Sequence, residues 1–404
     1  MTQAGIVELR RSTLIFIFVT VVLDVLALGI IIPVLPNLIK LFEGGNTASA
    51  ARIVGVLGFL GAAIQFFAAP VLGALSDRFG RRPIILFSCF GLAISYIMIA
   101  SATSLAWLFA ARVVTGIASA SYSTASAYIA DVTPPEKRAA SFGMLGAAFG
   151  MGFVAGPALG GVLGGISLQM PFWVAAGLCM ANFLYGVFVL PESLAPARRT
   201  PQVDWFRANP LGALKLLSAH PGLLVLSAIF LLFAISHDVM PSTFVLYGGE
   251  RYGWTTRDVG FVLGAIGLAT AVVQGGLVRP LGRLLGERGA LLAGLLAGVV
   301  GFTLYGLAPV GGMFLAAVPI QALWGISGPS IQGLMSHKVG PSEQGRLQGA
   351  ITSMRAIGGI IGPLIFTNAF SFGLVMEPAV PGLALFFGAA LLAVAALISW
   401  RAAR

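Results

Sequence analysis

The stretch GFVAGP at residues 152–157 returns as GGIIGP at residues 358–363. Gly152, Gly156 and Pro157 therefore stand 206 positions before Gly358, Gly362 and Pro363. The same offset joins Gly80 to Gly286, Arg82 to Arg288, Pro135 to Pro341 and Gly143 to Gly349. An offset held across several separated segments marks an internal duplication. Both copies lie inside long apolar runs, so the duplicated unit is a set of membrane helices. Glycines four apart flatten one face of a helix for close packing, and the proline that follows loosens its backbone.

Apolar runs fall near 14–36, 53–75, 83–102, 106–130, 143–166 and 171–191, and resume near 222–246, 259–280, 290–308, 313–336, 350–374 and 381–400. Roughly 20 apolar residues in helical form cross a bilayer. The pattern predicts an all-α membrane protein of twelve transmembrane helices in two pseudo-symmetric six-helix bundles. The bundles are 1–191 and 221–404. Between them, 192–220 is the one long polar connection, with four basic residues, three prolines and Trp205. It reads as a cytoplasmic linker with room for a short interfacial helix around 209–218.

Composition agrees. Hydrophobic residues make up 58% and charged residues 9% of the 404-residue chain, whereas a soluble domain carries about 25% charge. Glycine, at 53 residues, suits close helix packing in lipid. The net charge of +10 does not indicate nucleic acid, because the basic residues recur in short loops between apolar runs. Loops on one side hold eighteen of them, from Arg10 and Arg11 to Arg401 and Arg404; the other side holds only Lys40, Arg52, Arg251 and Arg257. The positive-inside rule then places both termini in the cytoplasm. The first apolar run reads as a retained helix, not a cleaved leader. Cys89 and Cys179 lie within apolar runs and read as buried free thiols. Neither HExxH nor GxSxG nor a P-loop occurs. No enzyme, ATP-driven step, cofactor or metal site is expected.

The loop after the second run reads Gly73-Ala-Leu-Ser-Asp77-Arg78-Phe-Gly80-Arg81-Arg82. Asp77 at a helix C-terminus is disfavoured by the helix dipole and needs a partner such as Arg81. The fourth run holds Arg112-Val-Val-Thr-Gly116 and closes on Asp131; the fifth holds Gly152, Gly156, Pro157, Gly160 and Gly161. With these motifs the chain resembles the major facilitator superfamily over nearly its whole length. The resemblance implies a gate built from 73–82 and Asp131, and the glycine-proline run resembles that of antiporters. The chain is similar above all to the drug/proton antiporter branch that contains the tetracycline efflux proteins: VVLDVLALGIIIPVLPNLI at 21–39 carries Asp24, Pro33 and Pro36 in matching places. Ser95, Thr270 and Gly298 stand where that branch's tetracycline carriers have aspartate, histidine and aspartate. These departures set the tetracycline–metal chelate apart from the expected cargo.

Asp24, Arg112, His237, Asp238 and Arg355 are the ionisable groups inside apolar runs, where each needs a partner or a wet cavity. Asp24 and Arg112 lie at similar depth by helical rise. A carboxylate compensated by a movable arginine suits proton coupling; the alternative is a static pair fixing two helices. His237 and Asp238 point about 100° apart on a helix, so one of them faces the cavity. Arg355 either binds an anionic group or snorkels. Gln65, Tyr96, Tyr122, Gln274, Gln321, Trp324 and Gln332 are the remaining candidates for cavity polarity and ring stacking. The expected function is proton-coupled export of a small amphipathic molecule by a monomer in a bacterial inner membrane. An importer and a non-transporting receptor are the alternatives.

Overall fold

A computed structural model describes residues 3–119, 121–133, 138–200, 214, 216–217, 221–340 and 343–401. Within the first half, the helices are α1 (Gln3–Ile31), α2 (Leu35–Phe42), α3 (Thr47–Phe79), α4 (Arg81–Ala100), α5 (Leu105–Ala118), α6 (Ser121–Val132), α7 (Arg138–Ile166) and α8 (Met170–Val189). Those of the second half are α9 (Pro221–His237), α10 (Val239–Tyr252), α11 (Thr256–Val272), α12 (Val278–Leu307), α13 (Gly311–Ala322), α14 (Ser327–Ser336), α15 (Gln344–Val375) and α16 (Leu383–Arg401). No strand occurs among the described residues. The interfacial helix expected around 209–218 falls almost wholly outside them, as do Pro135, Lys137, Arg207, Lys215, Pro341 and Arg404.

Among the described residues, ten helical stretches are long and apolar enough to cross a membrane. One of them, Thr256–Leu307, runs for 52 residues, or about 78 Å at 1.5 Å per residue, against a hydrocarbon core of about 30 Å. It must turn back, and it does so at Gly286, where φ is 68° and ψ 166°. The fourth predicted span, 106–130, appears as α5 and α6, broken at Ser119 (φ −77°, ψ 48°). With those two readings the described helices are consistent with the twelve crossings expected.

Gly286 confirms the duplication at the level of the backbone. Its partner 206 positions earlier, Gly80, has φ 109° and ψ 163° and separates α3 from α4 in the same way. A left-handed φ is accessible to glycine and strained for other residues. Both repeats therefore use one glycine to reverse the chain between their second and third spans.

By internal contacts the chain divides into two compact units: Met1–Leu35 with Ala63–Asn209, and Pro36–Ala62 with Pro210–Arg404. In the first, α1 packs along α7, and α4 packs on α8 and α5. The α1–α7 contact is backbone against backbone. A Cβ added at Gly156 would lie 2.6 Å from the Gly29 Cα, and one at Gly160 would lie 2.0 Å from the Ile30 carbonyl oxygen. In the second unit the matching residues Gly358 and Gly362 meet Ala234 and Asp238. There, residues 36–62 lie on α15 and beside α10 and α11: Gly58 faces Pro363, Asn37 donates to Thr256 Oγ1 at 3.1 Å, and Thr47 donates to Glu250 at 2.8 Å.

Gly160→Ala is expected to lower the thermal stability of the detergent-purified protein by an amount on the order of 1–3 kcal/mol, because the added methyl displaces backbone. Gly150→Ala, on the same helix with open space around it, is expected to be neutral or slightly stabilising. Equal losses in the two variants would contradict this packing.

Candidate functional site

The 73–82 loop is organised around Arg81. At the start of α4, its Nη1 donates to Asp77 Oδ1 at 2.5 Å and to Ser76 Oγ at 3.1 Å, while Nε donates to Asp131 Oδ2 at 3.1 Å. The guanidinium thus ties the end of α3 to the end of α6. Asp77, disfavoured at a helix C-terminus, has the partner its position demanded. Asp131 also accepts from Ser193 Oγ, and Arg82 Nη2 donates to the Val187 carbonyl at 2.6 Å. Arg78 stacks over Phe79. Gly73 has open space where a Cβ would go, so nothing packs against it in this unit.

Glu192, not singled out in the sequence, completes the cluster. Its carboxylate accepts the backbone N–H of Arg81 at 2.8 Å and of Arg82 at 3.3 Å. These are amides that a helix N-terminus leaves without an intrahelical acceptor, and an anion is favoured there. A Cβ at Gly80 would fall 2.2 Å from Glu192 Oε2. Gly80 is therefore required twice, by its φ and by the carboxylate beside it. The signal in the sequence was an acid directly after the sixth apolar run.

Deeper in the first unit, Asp24 on α1 is half-buried, with Oδ2 sealed from solvent. Its Oδ1 accepts from Asn182 Nδ2 of α8 at 2.9 Å, with the Cys89 thiol of α4 at 3.9 Å. The same Nδ2 donates to the Thr20 carbonyl at 3.1 Å. Arg112 is coupled electrostatically to Tyr96, which itself lies within electrostatic reach of Asp24 and Cys179. The buried Tyr96 thus lies within electrostatic reach of both Asp24 and Arg112. Tyr96, 3% exposed, belongs to this core. Gln65 is exposed and donates to the Ser119 carbonyl at 3.4 Å, satisfying an acceptor at the break between α5 and α6. Tyr122 lies on α6; its side chain is outside the described residues.

In the second unit, Asp238 sits at the break between α9 and α10, with Ser242 Oγ donating to its carbonyl. Asp238 is half-buried against α15: a Cβ at Gly362 would lie 2.5 Å from its own Cβ. The exposed His237 ring lies 5.7 Å from Trp324 and 6.5 Å from Phe233. Trp324 is in turn 5.1 Å from Phe233 and 5.3 Å from Phe302. Arg355 is exposed, with its guanidinium over the Phe230 ring, and lies within electrostatic reach of His237. Gln274 is exposed on a π-turn, Val273–Leu277, and faces Gly325. Gln332 donates to its own helix at Gly328.

Gln321 and Trp324, read in the sequence as candidates for cavity polarity and stacking, are buried at 7% and 9% exposure. Each is directed at a glycine of α12. A Cβ at Gly301 would overlap Gln321, and one at Gly298 would come within 2.9 Å of the Trp324 ring and 2.7 Å of Leu392. The three positions that depart from the tetracycline-carrier pattern are each engaged within the protein. Ser95, fully buried, donates to the Ala111 carbonyl at 2.9 Å and binds α4 to α5. Thr270 donates to Ile266 within its own helix, and Gly298 holds the indole.

A sequence model of the Major Facilitator Superfamily matches residues 17–363. The chain belongs to the major facilitator superfamily. It is an integral membrane transporter, not an enzyme. Among its relatives, the class C tetracycline resistance protein of Escherichia coli is 38% identical over 361 residues, covering 89% of this chain and 90% of that protein. The class G protein of Vibrio anguillarum is 39% identical over 361 residues, covering 89% and 91%. The fold is shared with the human organic anion transporter MFSD10 (TM-score 0.69, 24% identity, 96% and 99% covered). It is shared also with the nucleoside transporter NupG (TM-score 0.78, 15% identity, 98% and 99% covered).

Gly298→Asp is expected to destabilise the protein by about 2 kcal/mol or more, since a carboxylate would enter space held by Trp324 and Leu392. Trp324→Ala should relieve part of that loss. The double-mutant cycle in thermal unfolding then shows a coupling of about 1 kcal/mol, whereas strict additivity would contradict the assignment of Trp324 to this space.

Proposed function

We propose that this chain is a proton-coupled secondary transporter that exports a small amphipathic compound by alternating access. The observation that carries the reading is the Asp24 carboxylate, held inside a membrane span by the Asn182 amide, in a chain whose relatives are tetracycline resistance proteins by name. A carboxylate in that setting takes up a proton or partners a charged group, and switching between the two couples proton entry to a change of conformation. Arg112 acts on Asp24 through Tyr96. His237 and Asp238 form a second polar site at the α9–α10 break, with the histidine open to the cavity.

The Arg81 cluster, with Asp77, Asp131 and Glu192, serves as the cytoplasmic gate in this reading. Gly152, Gly156, Pro157 and Gly160 form the face on which α1 moves as a body with α7. In the second unit Arg355, Gln274, Gln332 and the His237 ring offer the cargo polar contacts, and in the first unit Gln65 does. Both termini lie in the cytoplasm, the protein works as a monomer in a bacterial inner membrane, and it needs no cofactor or resident metal. The relatives are named for tetracycline. Here Ser95, Thr270 and Gly298 offer no ionisable ligand, so a cargo that does not depend on a chelated metal suits the chain better.

Everted vesicles energised by respiration are the direct assay, with tetracycline and ethidium as separate probes and a lumenal pH dye as readout. A transported probe is expected to release lumenal protons with the native protein and to release none with Asp24→Asn. Asp238→Asn should weaken the response and leave it detectable. Undiminished proton release in Asp24→Asn would remove Asp24 from the coupling step.

A further inference from the structure

The Asn182 side chain is 1% exposed and lies in a sixth span that is otherwise apolar apart from Cys179 and Tyr185. Burying a lone amide in a membrane helix is unfavourable unless it is used. Its use is specific. Nδ2 carries two hydrogens: one goes to the Thr20 carbonyl at 3.1 Å, the other to Asp24 Oδ1 at 2.9 Å, with Cys89 Sγ at 3.6 Å. Thr20 and Asp24 are four residues apart on α1, hence on one face, and the amide bridges that turn. A backbone carbonyl accepts and cannot donate. The Thr20 contact therefore fixes which end of the amide faces α1. Reversing the amide would set its oxygen against two acceptors. Asn182 Oδ1 is buried without a hydrogen-bond partner on its other side, so the arrangement is kept at the expense of one carbonyl.

We propose that Asn182 is a positioning residue for proton coupling: locked by the Thr20 carbonyl, its amide always offers Asp24 a donor and so sets the pH at which Asp24 exchanges its proton. The inference rests on Asp24 being the coupling carboxylate, but its test does not require transport. A donor favours the carboxylate over the carboxylic acid. From α4 the ionisable neighbours are Cys89 and Tyr96, and from α8 Cys179. From α6, Tyr128 joins the same apolar cluster. The helix α7 carries no ionisable side chain beyond Arg138 at its start, and Arg112 of α5 reaches Tyr96. The amide stands closer to Asp24 than the Cys89 thiol does, at 2.9 Å against 3.9 Å.

The experiment is an infrared pH titration of the purified full-length protein in lipid nanodiscs, without substrate. The carboxylic acid C=O band that disappears in Asp24→Asn belongs to Asp24. In Asn182→Leu, which removes the donor, the midpoint of that band is expected to move to higher pH by about one unit. Asn182→Asp keeps the shape of the amide. The oxygen in the place of Nδ2 would have at most one hydrogen, taken by the Thr20 carbonyl, and would turn a lone pair to Asp24, so the midpoint should move further up than in Asn182→Leu. A role confined to packing would lower yield or melting temperature and leave both midpoints in place, and that result would overturn the proposal. So would the absence of any titrating band lost in Asp24→Asn. If the midpoints move as expected while Asp24→Asn still couples protons in vesicles, the proposal for Asn182 stands and the coupling role of Asp24 falls.

Discussion

The first unit depends on the line where α1 and α7 meet, nearly backbone to backbone. Gly152 lies against Val25, Gly156 against Gly29, and Gly160 against the Ile30 backbone. In lipid, helices gain little from the hydrophobic effect on contacting one another, so close van der Waals approach between small residues carries the association. This contact fixes the depth and rotation of α1. Asp24, next to Val25 in the chain, is thereby delivered to Asn182 and Cys89, which α8 and α4 present from other sides. A methyl on the glycine face would shift the carboxylate as well as the helix.

The two halves reuse the same device with different contents. Where Gly29 meets Gly156 in the first, Asp238 meets Gly362 in the second. The second carboxylate thus stands at the helix contact itself, five residues further along its helix than the position matching Asp24. Gly80 and Gly286 share one backbone conformation. Only Gly80 has a carboxylate pressed against it, since nothing lies within 4 Å of a Cβ placed on Gly286. Duplication preserved the turns and the packing faces, while the polar groups diverged.

The family and its helical plan were legible because they rest on local signals: apolar runs, glycines at a fixed offset, and a charged loop of set order. The Arg81 cluster was half legible, since Asp77 at a helix C-terminus announces its need for a partner, but Glu192 is brought to α4 only by folding. Asn182 was missed although a single amide in an apolar run is a readable signal. Its importance depends on meeting Thr20 and Asp24 across 158 to 162 residues of chain. That Trp324 and Gln321 lie buried against glycines of α12 was not legible for a related reason. An aromatic or an amide on a membrane helix has no label for which neighbour it faces, and the glycines of α12 that admit them into the core are distant in sequence. The break that splits the fourth span at Ser119 opens a stretch rich in hydroxyl side chains, with Ser121, Ser123, Thr124 and Ser126 close behind, a mark that a reading by apolar runs passes over.

The central claim is that Asp24 carries the coupled proton and is dispensable for moving the cargo itself. The most direct test reconstitutes native protein and Asp24→Asn in liposomes and measures, for the same labelled probe, exchange against unlabelled probe and accumulation driven by a pH gradient. The account predicts that Asp24→Asn keeps exchange at a rate close to native and loses gradient-driven accumulation. Accumulation that persists in Asp24→Asn would contradict it, and so would joint loss of exchange and accumulation in a folded protein.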